Sequence, residues 1–441
     1  MSFNSIDYLL FFPVVVLIYF LLPRKVKMYW LLLSSYYFYM SWNAKYGILI
    51  FFSTAVTYLC GLALEWAGKH AGLKRQKAAK LSIISLSLII NLGLLFYFKY
   101  TNFAINNLNM ICEKLGIDLR CPNFDIVLPV GISFFIFQTI GYTIDVYRNE
   151  IEAEKNPFRY ALFVSFFPQL VAGPIERSKN LLLQLKTDQK FDVQEAKNGL
   201  LTMAYGLFMK IAVADNLSQV VDPIFDAPEE HSGMMLLFAT LLFAFQIYCD
   251  FNGYTQMAIG SARVLGIKLN HNFASPYMGA SVKDFWRRWH ISLTSWFRDY
   301  LYIPLGGSKK GKIRKQINTM IVFLCSGLWH GAAWNYVAWG GLNGLFSVLE
   351  DLLKPVKEKV YGRLSIHTEM FMYKVFQRIA TFILIDFTWL FFRSQQLKTA
   401  LYILGKIKAD FRLEWLLNFE FVNAFESPYA LMVTMIPLIV I

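Results

Sequence analysis

Eleven apolar runs decide what this chain can fold into. They cover residues 8–22, 28–42, 48–64, 81–98, 127–142, 158–171, 199–214, 234–249, 317–329, 334–349 and 371–392. Hydrocarbon offers no hydrogen-bond partner, so such runs cross a bilayer as helices, each needing about 20 residues. Several are nearer to about 15 residues, which predicts tilted, broken or re-entrant helices packed inside protein. Only 17% of the residues are charged and 56% are hydrophobic, against roughly 25% charged in ordinary soluble domains. The expectation is an all-α polytopic membrane protein with about ten or eleven crossings, built as one membrane-embedded domain over residues 1–441.

The net charge of +13 would suit nucleic acid, but the basic residues are scattered in short clusters between the apolar runs. That pattern belongs to loops that set a bilayer topology, so membrane lipid is the expected neighbour and nucleic acid is not. Arg24, Lys25 and Lys27 follow the first run, and Lys69, Lys74, Arg75, Lys77 and Lys80 follow the third. These two loops are expected in the cytoplasm and the N-terminus outside, with residues 101–125 forming an external loop. The first run has no basic region ahead of it and no small-residue cleavage site behind, which marks a retained span. Residues 430–441 are too short to cross alone, so the chain either continues past them or only dips into the membrane there.

The motifs of soluble catalysis are missing. There is no GxxxxGK[ST] loop, GxSxG elbow, HExxH helix or HxxxxD pair, and no CxxC or clustered Cys/His spacing, so neither a metal nor a bound cofactor is expected. His70, His231, His271 and His367 sit in polar surroundings and read as solvated surface residues. His330 closes an apolar run, and an ionisable residue at membrane depth is costly enough to mark a candidate site. Gly327 and Gly331 beside it would let a substrate or another backbone come close. His290 lies in "KDFWRRWHISLTSWFRDY", residues 283–300. At about 100° per residue, Phe285, Trp286, Trp289, Leu293, Trp296, Phe297 and Tyr300 share one face, opposite Asp284, Arg287, Arg288, Ser295, Arg298 and Asp299. The expectation is one amphipathic helix for an interface or a cavity wall, with His290 on its seam. Arg287, Thr294 and Arg298 then form a polar stripe beside the imidazole, suited to a phosphate-bearing or carbonyl substrate.

The stretch "DFWRRWHISLTSWFRDYLYIPLGG", followed 40 residues after His290 by His330 in "CSGLWHGAAWNYVAWGGLNG", resembles the paired signature of the membrane-bound O-acyltransferase superfamily. "FPQLVAGPIERSKNLLLQL" and "DFNGYTQMAIGSARVLGIKLNHNF" extend the resemblance along most of the chain. Within the superfamily it resembles first the branch of bacterial alginate O-acetyltransferase membrane subunits, then that of teichoic acid D-alanyltransferases. The resemblance implies a ring of transmembrane helices with re-entrant or interfacial helices around a thinned centre, in a multi-pass protein of the bacterial inner membrane. It also implies a donor entering from the cytoplasm and an acceptor from the opposite face.

A hydroxyl that attacks a thioester needs a base, and a neutral imidazole is the usual choice. His330 is therefore expected as general base, or as the residue activating a relay hydroxyl, with burial keeping it neutral. His290 is expected to position the donor or polarise its carbonyl, with Arg287, Thr294 and Arg298 binding substrate. The implied reaction moves an acetyl group from acetyl-CoA to hydroxyls of an exported polysaccharide, with a separate extracytoplasmic acyltransferase or export protein as partner. D-alanyl transfer to teichoic acid from a carrier protein shares the fold and the base. A proton-coupled transporter would also use membrane histidines, but the paired repeats typical of such proteins are not evident.

Overall fold

The structure, a computed structural model, describes residues 1–70, 73–171, 173–365, 367–412, 414–415, 418–425 and 427–440; Ile441 and the side chain of Lys74 lie outside the described set. Every regular element among the described residues is helical. The helices are α1 (Ile6–Leu21), α2 (Arg24–Met40), α3 (Ala44–His70), α4 (Leu73–Leu95), α5 (Thr101–Lys114), α6 (Ile132–Tyr147), α7 (Pro157–Ser165), α8 (Phe167–Leu170) and α9 (Ser178–Gln184). They continue as α10 (Val193–Phe208), α11 (Asp215–Asp226), α12 (Gly233–Val264), α13 (Val282–Arg288), α14 (Ile291–Phe297), α15 (Lys312–His330), α16 (Trp334–Arg363), α17 (Phe371–Arg393) and α18 (Leu397–Ala409). Among the described residues, five continuous helical segments are long and apolar enough to cross a membrane: Ala44–His70, Arg75–Lys114, Val193–Asp226, Gly233–Val264 and Phe371–Arg393. The chain is an all-α, multi-pass membrane protein. It folds as two compact units, residues 1–204 with 254–270, and residues 205–253 with 271–441.

In the first unit the helices are inside-out relative to those of a soluble protein. On α3 seven of the nine buried residues are small or hydroxyl-bearing or a cysteine, namely Gly47, Ser53, Thr54, Thr57, Cys60, Gly61 and Ala67, beside Ile50 and Leu64, while Ile48, Phe51, Leu59 and Trp66 are more than 60% exposed. Small and hydroxyl side chains let helices approach and bond where lipid supplies no hydrophobic drive, and large apolar ones face the tails. Ser53 donates to Asn91 Oδ1 at 2.6 Å, and Asn91 Nδ2 donates to the Ser87 carbonyl at 2.9 Å, so α3 and α4 meet through satisfied polar groups. The run at 158–171 is broken as its length suggests: α7 starts on an Asn156 cap with Pro157 behind it, and Phe166 separates it from α8. Two stretches of the resemblance meet here, since the buried Glu176 carboxylate accepts from the Asn270 amide at 2.6 Å and from Asn180 Nδ2 at 2.6 Å.

The expected external loop at 101–125 is corrected in its first half, which is helix α5. Its asparagines suggest a loop, yet Asn107 bonds one turn back to the Phe103 carbonyl, and Asn109 pairs in both directions with the Cys121 backbone. The exposed Leu108, Met110 and Ile111 give it an apolar side, as in a helix lying at an interface.

The second unit is built on aromatic packing. Trp339 and Trp389 stack at 5.8 Å between centroids, and Trp289 and Phe285 stack at 5.5 Å beside them. Lys210, inside a span, is matched by Asp215 at 2.7 Å and Asp250 at 2.5 Å, the pairing that a charge at membrane depth requires.

Candidate active site

The amphipathic segment 283–300 buries the face its periodicity predicts: Phe285, Trp286, Trp289, Leu293, Trp296 and Phe297 are all buried. It is not one helix. α13 ends at Arg288, α14 begins at Ile291, and His290 between them takes φ 44° and ψ 55°. A left-handed conformation costs a side-chain-bearing residue about 1–2 kcal/mol, so the surroundings must enforce it. Asn272 does so. Its carbonyl accepts from Ile291 N at 2.9 Å, and its Oδ1 accepts from Ser292 Oγ at 2.6 Å and Ser292 N at 3.3 Å. The segment after α12 also bonds back through Ala274 N to the Arg288 carbonyl at 3.0 Å. Backbone groups that a continuous helix would satisfy internally are thus taken over by residues 272–274, and His290 is turned inward at the break.

His290 is 1% exposed. Its ring stands edge-on to Phe251 at 4.7 Å and to Trp329 at 5.9 Å, and 6.5 Å from the ring of His330. His330 is the last residue of α15, before the extended Gly331. Trp329, Trp339 and Phe392 meet its ring edge-on at 4.9, 5.0 and 5.4 Å. His290 is the more deeply buried imidazole, and His330, at a helix end, is partly buried.

The place of His330 depends on close contact between α15 and α16. A Cβ on Gly327 would overlap the Tyr336 carbonyl, and one on Gly340 would overlap the Phe323 carbonyl and press on the Gly327 backbone. A Cβ on Gly331 would run into the Tyr336 ring. These three positions admit glycine because another backbone or ring occupies the space of the side chain.

A cavity of about 260 Å³ opens against His290 and is lined also by Arg287, Thr294 and Arg298. The three stripe residues therefore come together although the helix carrying them is broken. Lys283, Tyr302 and Thr319 join them in the wall, and His330 does not. Arg298 is engaged with Asp299, Nε to Oδ1 at 2.8 Å, and Lys283 with Asp351, whereas Arg287 meets no carboxylate among the described residues. Arg287 is thus the cation best placed to take a phosphate. The arrangement offers a partly buried imidazole, a fully buried one 6.5 Å away, and a cationic pocket beside the second.

Sequence reasoning missed Phe251, Trp339 and Phe392, which box in the imidazoles. Trp339 stood in the quoted "VAWGGLNG", but in so apolar a chain nothing distinguishes it from a packing residue; its buried indole N–H meets no acceptor among the described residues. His70, His271 and His367 are exposed and His231 is partly so.

A profile of the membrane-bound O-acyltransferase family matches residues 148–392. The chain is 35% identical to a probable alginate O-acetylase of Pseudomonas syringae pv. tomato, over 91% of its own length and 74% of the relative's. It is likewise 35% identical to a peptidoglycan O-acetyltransferase of Helicobacter pylori, over 89% and 77% of the two chains. Similarity to a teichoic acid D-alanyltransferase of Streptococcus thermophilus is 28%, over 50% of this chain and 56% of that one.

Proposed function

The chain belongs to the membrane-bound O-acyltransferase family, and from that premise we propose that it transfers an acetyl group from a cytoplasmic thioester, acetyl-CoA, across the inner membrane to hydroxyls of an exported glycan. The observation that carries the reading is the pair of imidazoles, one from the end of α15 and one from the break between α13 and α14, brought to one aromatic box with their rings 6.5 Å apart. His330 acts as general base. The acceptor hydroxyl oxygen attacks the thioester carbonyl carbon, a C–O bond forms as the C–S bond breaks, and the hydroxyl proton passes to the imidazole and on to the leaving thiolate. His290 positions the donor, and Arg287, Thr294 and Arg298 hold its phosphate-bearing part in the adjoining cavity. The N–H of Trp339, whose ring lies 5.0 Å from that of His330, is a donor for the oxygen that gains charge in the transition state.

Acetyl is favoured over D-alanyl because relatives named for O-acetylation match about nine-tenths of the chain, and those named for D-alanylation half of it. The glycan is finished by a separate extracytoplasmic acyltransferase or export protein. Purified protein incubated with labelled acetyl-CoA and, in parallel, with a D-alanyl carrier protein tests the donor. Loss of label from acetyl-CoA alone is expected; loss from the D-alanyl carrier alone would replace the acetyl reading with the other.

A further inference from the structure

A second cavity, lined by charge, lies wholly within the first unit. A cavity of about 590 Å³ is lined by five cations, Arg24, Lys25, Lys27, Arg159 and Lys186, and one carboxylate, Asp188. Lys27 bonds Asp188 at 3.1 Å, while Arg159 and Lys186 share the buried Glu154 at 2.9 and 3.4 Å. Arg24 and Lys25 meet no carboxylate among the described residues and are exposed. Five positive charges thus face two negative ones, a surplus that an anion would neutralise. The side chains come from the first turn of α2, the start of α7 and the segment after α9, elements far apart in sequence.

A separate groove of about 540 Å³ runs between α2, α3 and α7. Its wall is apolar apart from Thr54 and the hydroxyls of Tyr29, Tyr36 and Tyr58, and its rim residues Phe51, Leu59 and Phe158 are 63%, 62% and 48% exposed. The groove and the cationic cavity share Tyr29, whose ring meets Phe158 edge-on at 5.2 Å. A polar, positively charged chamber therefore adjoins a hydrocarbon-lined one across a single pair of aromatic rings. A soluble phosphate compound would fill the first and leave the second empty. An anionic phospholipid matches both, phosphate among the cations and acyl chain in the groove, with Tyr29 at the level where amphipathic rings settle.

We infer that this paired cavity binds an anionic phospholipid of the bilayer. The test is native mass spectrometry of the full chain released from nanodiscs of equal parts dioleoylphosphatidylglycerol and dioleoylphosphatidylcholine. The wild type is expected to retain the glycerol lipid at least about 10-fold over the choline lipid, the excess that two unpaired cations near a headgroup, at about 1 kcal/mol each, produce. Arg24→Gln/Lys25→Gln removes two cations that stand outside every ion pair described above, so folding is undisturbed, and should bring the two lipids near parity. Ala55→Phe, placed in the groove wall, should release lipid of both kinds with the cations intact. Equal retention of the two lipids by the wild type overturns the assignment, as does an undiminished preference in the double variant. Displacement of the lipid by millimolar CoA or inorganic phosphate, with Ala55→Phe without effect on that binding, would reassign the cationic chamber to a soluble phosphate compound and overturn the lipid site.

Discussion

Gly340 and Gly341 are neighbours on α16, and the structure predicts opposite outcomes for the same substitution. A methyl group on Gly341 meets only Leu324 Cδ2 at 3.6 Å, an ordinary contact. A methyl group on Gly340 lands inside the Phe323 carbonyl and 3.1 Å from the Gly327 Cα. Both changes gain the helix propensity of alanine, about 1 kcal/mol. For Gly341→Ala that gain stands, and the protein should melt at the wild-type temperature or slightly above. In Gly340→Ala, α15 and α16 must part by roughly 1 Å to restore contacts near 3.5–4 Å. Overpacking of that kind costs about 1–3 kcal/mol, leaving a net loss of up to about 2 kcal/mol after the propensity gain. The larger effect is on activity. Gly327 is one turn from His330, and a displacement of about 1 Å at a catalytic group costs on the order of 100-fold in rate. Melting of detergent-solubilised protein followed by size-exclusion fluorescence, with acetyl transfer at saturating donor, measures both. Equal behaviour of the two variants in both assays would refute the close helix contact and its role in placing His330.

Four further outcomes follow from the site. His330→Ala should lose at least about 100-fold of transfer activity with melting nearly unchanged, as removal of a general base requires; retained activity rejects the base. Arg287→Ala should raise the KM for acetyl-CoA with kcat little altered, and more than Arg298→Ala does, because Arg298 is already engaged with Asp299; donor dependence unaltered in both would turn the cationic cavity over to another ligand. Replacing Trp339 with its benzothienyl isostere removes the N–H and keeps the ring shape, so kcat should fall on the order of 100-fold if that donor serves the oxyanion, and wild-type kcat would limit Trp339 to packing. For sidedness, single cysteines at the exposed Lys77 and Lys114, in a chain lacking its five native cysteines, are probed with an impermeant thiol reagent on cells whose outer envelope is opened. Labelling at 114 and not at 77 is expected; the reverse would place the donor on the wrong side.

The long apolar runs were legible as helices because burial in lipid demands such runs, and α1, α3, α12 and α17 begin within about four residues of the predicted starts, while five segments among the described residues are long and apolar enough to cross. Asparagine-rich α5 was not, since Asn side chains that suggest a loop can equally bond one turn back along a helix. Arg287, Thr294 and Arg298 were grouped by a helical period and do share a cavity. The period survives because each short helix keeps it on its own side of the break. The break itself was invisible. It depends on Asn272, 18 residues upstream of His290, whose side chain and carbonyl can reach Ile291 and Ser292 only after folding.

That break separates the two histidines in kind. His330 ends a regular helix and is held by glycines that let α16 lie against α15, so its position follows from packing around it. His290 holds a backbone conformation that histidine adopts at a cost, enforced by three bonds from one asparagine. A purely structural residue there would be expected as glycine, which takes the same φ and ψ without strain. Histidine in that place, buried and edge-on to Phe251 in front of a cationic cavity, is better accounted for by what its ring does than by what its backbone needs. The partly buried His330 and the strained, buried His290 thus fit the proposed division between a base and a donor-positioning group.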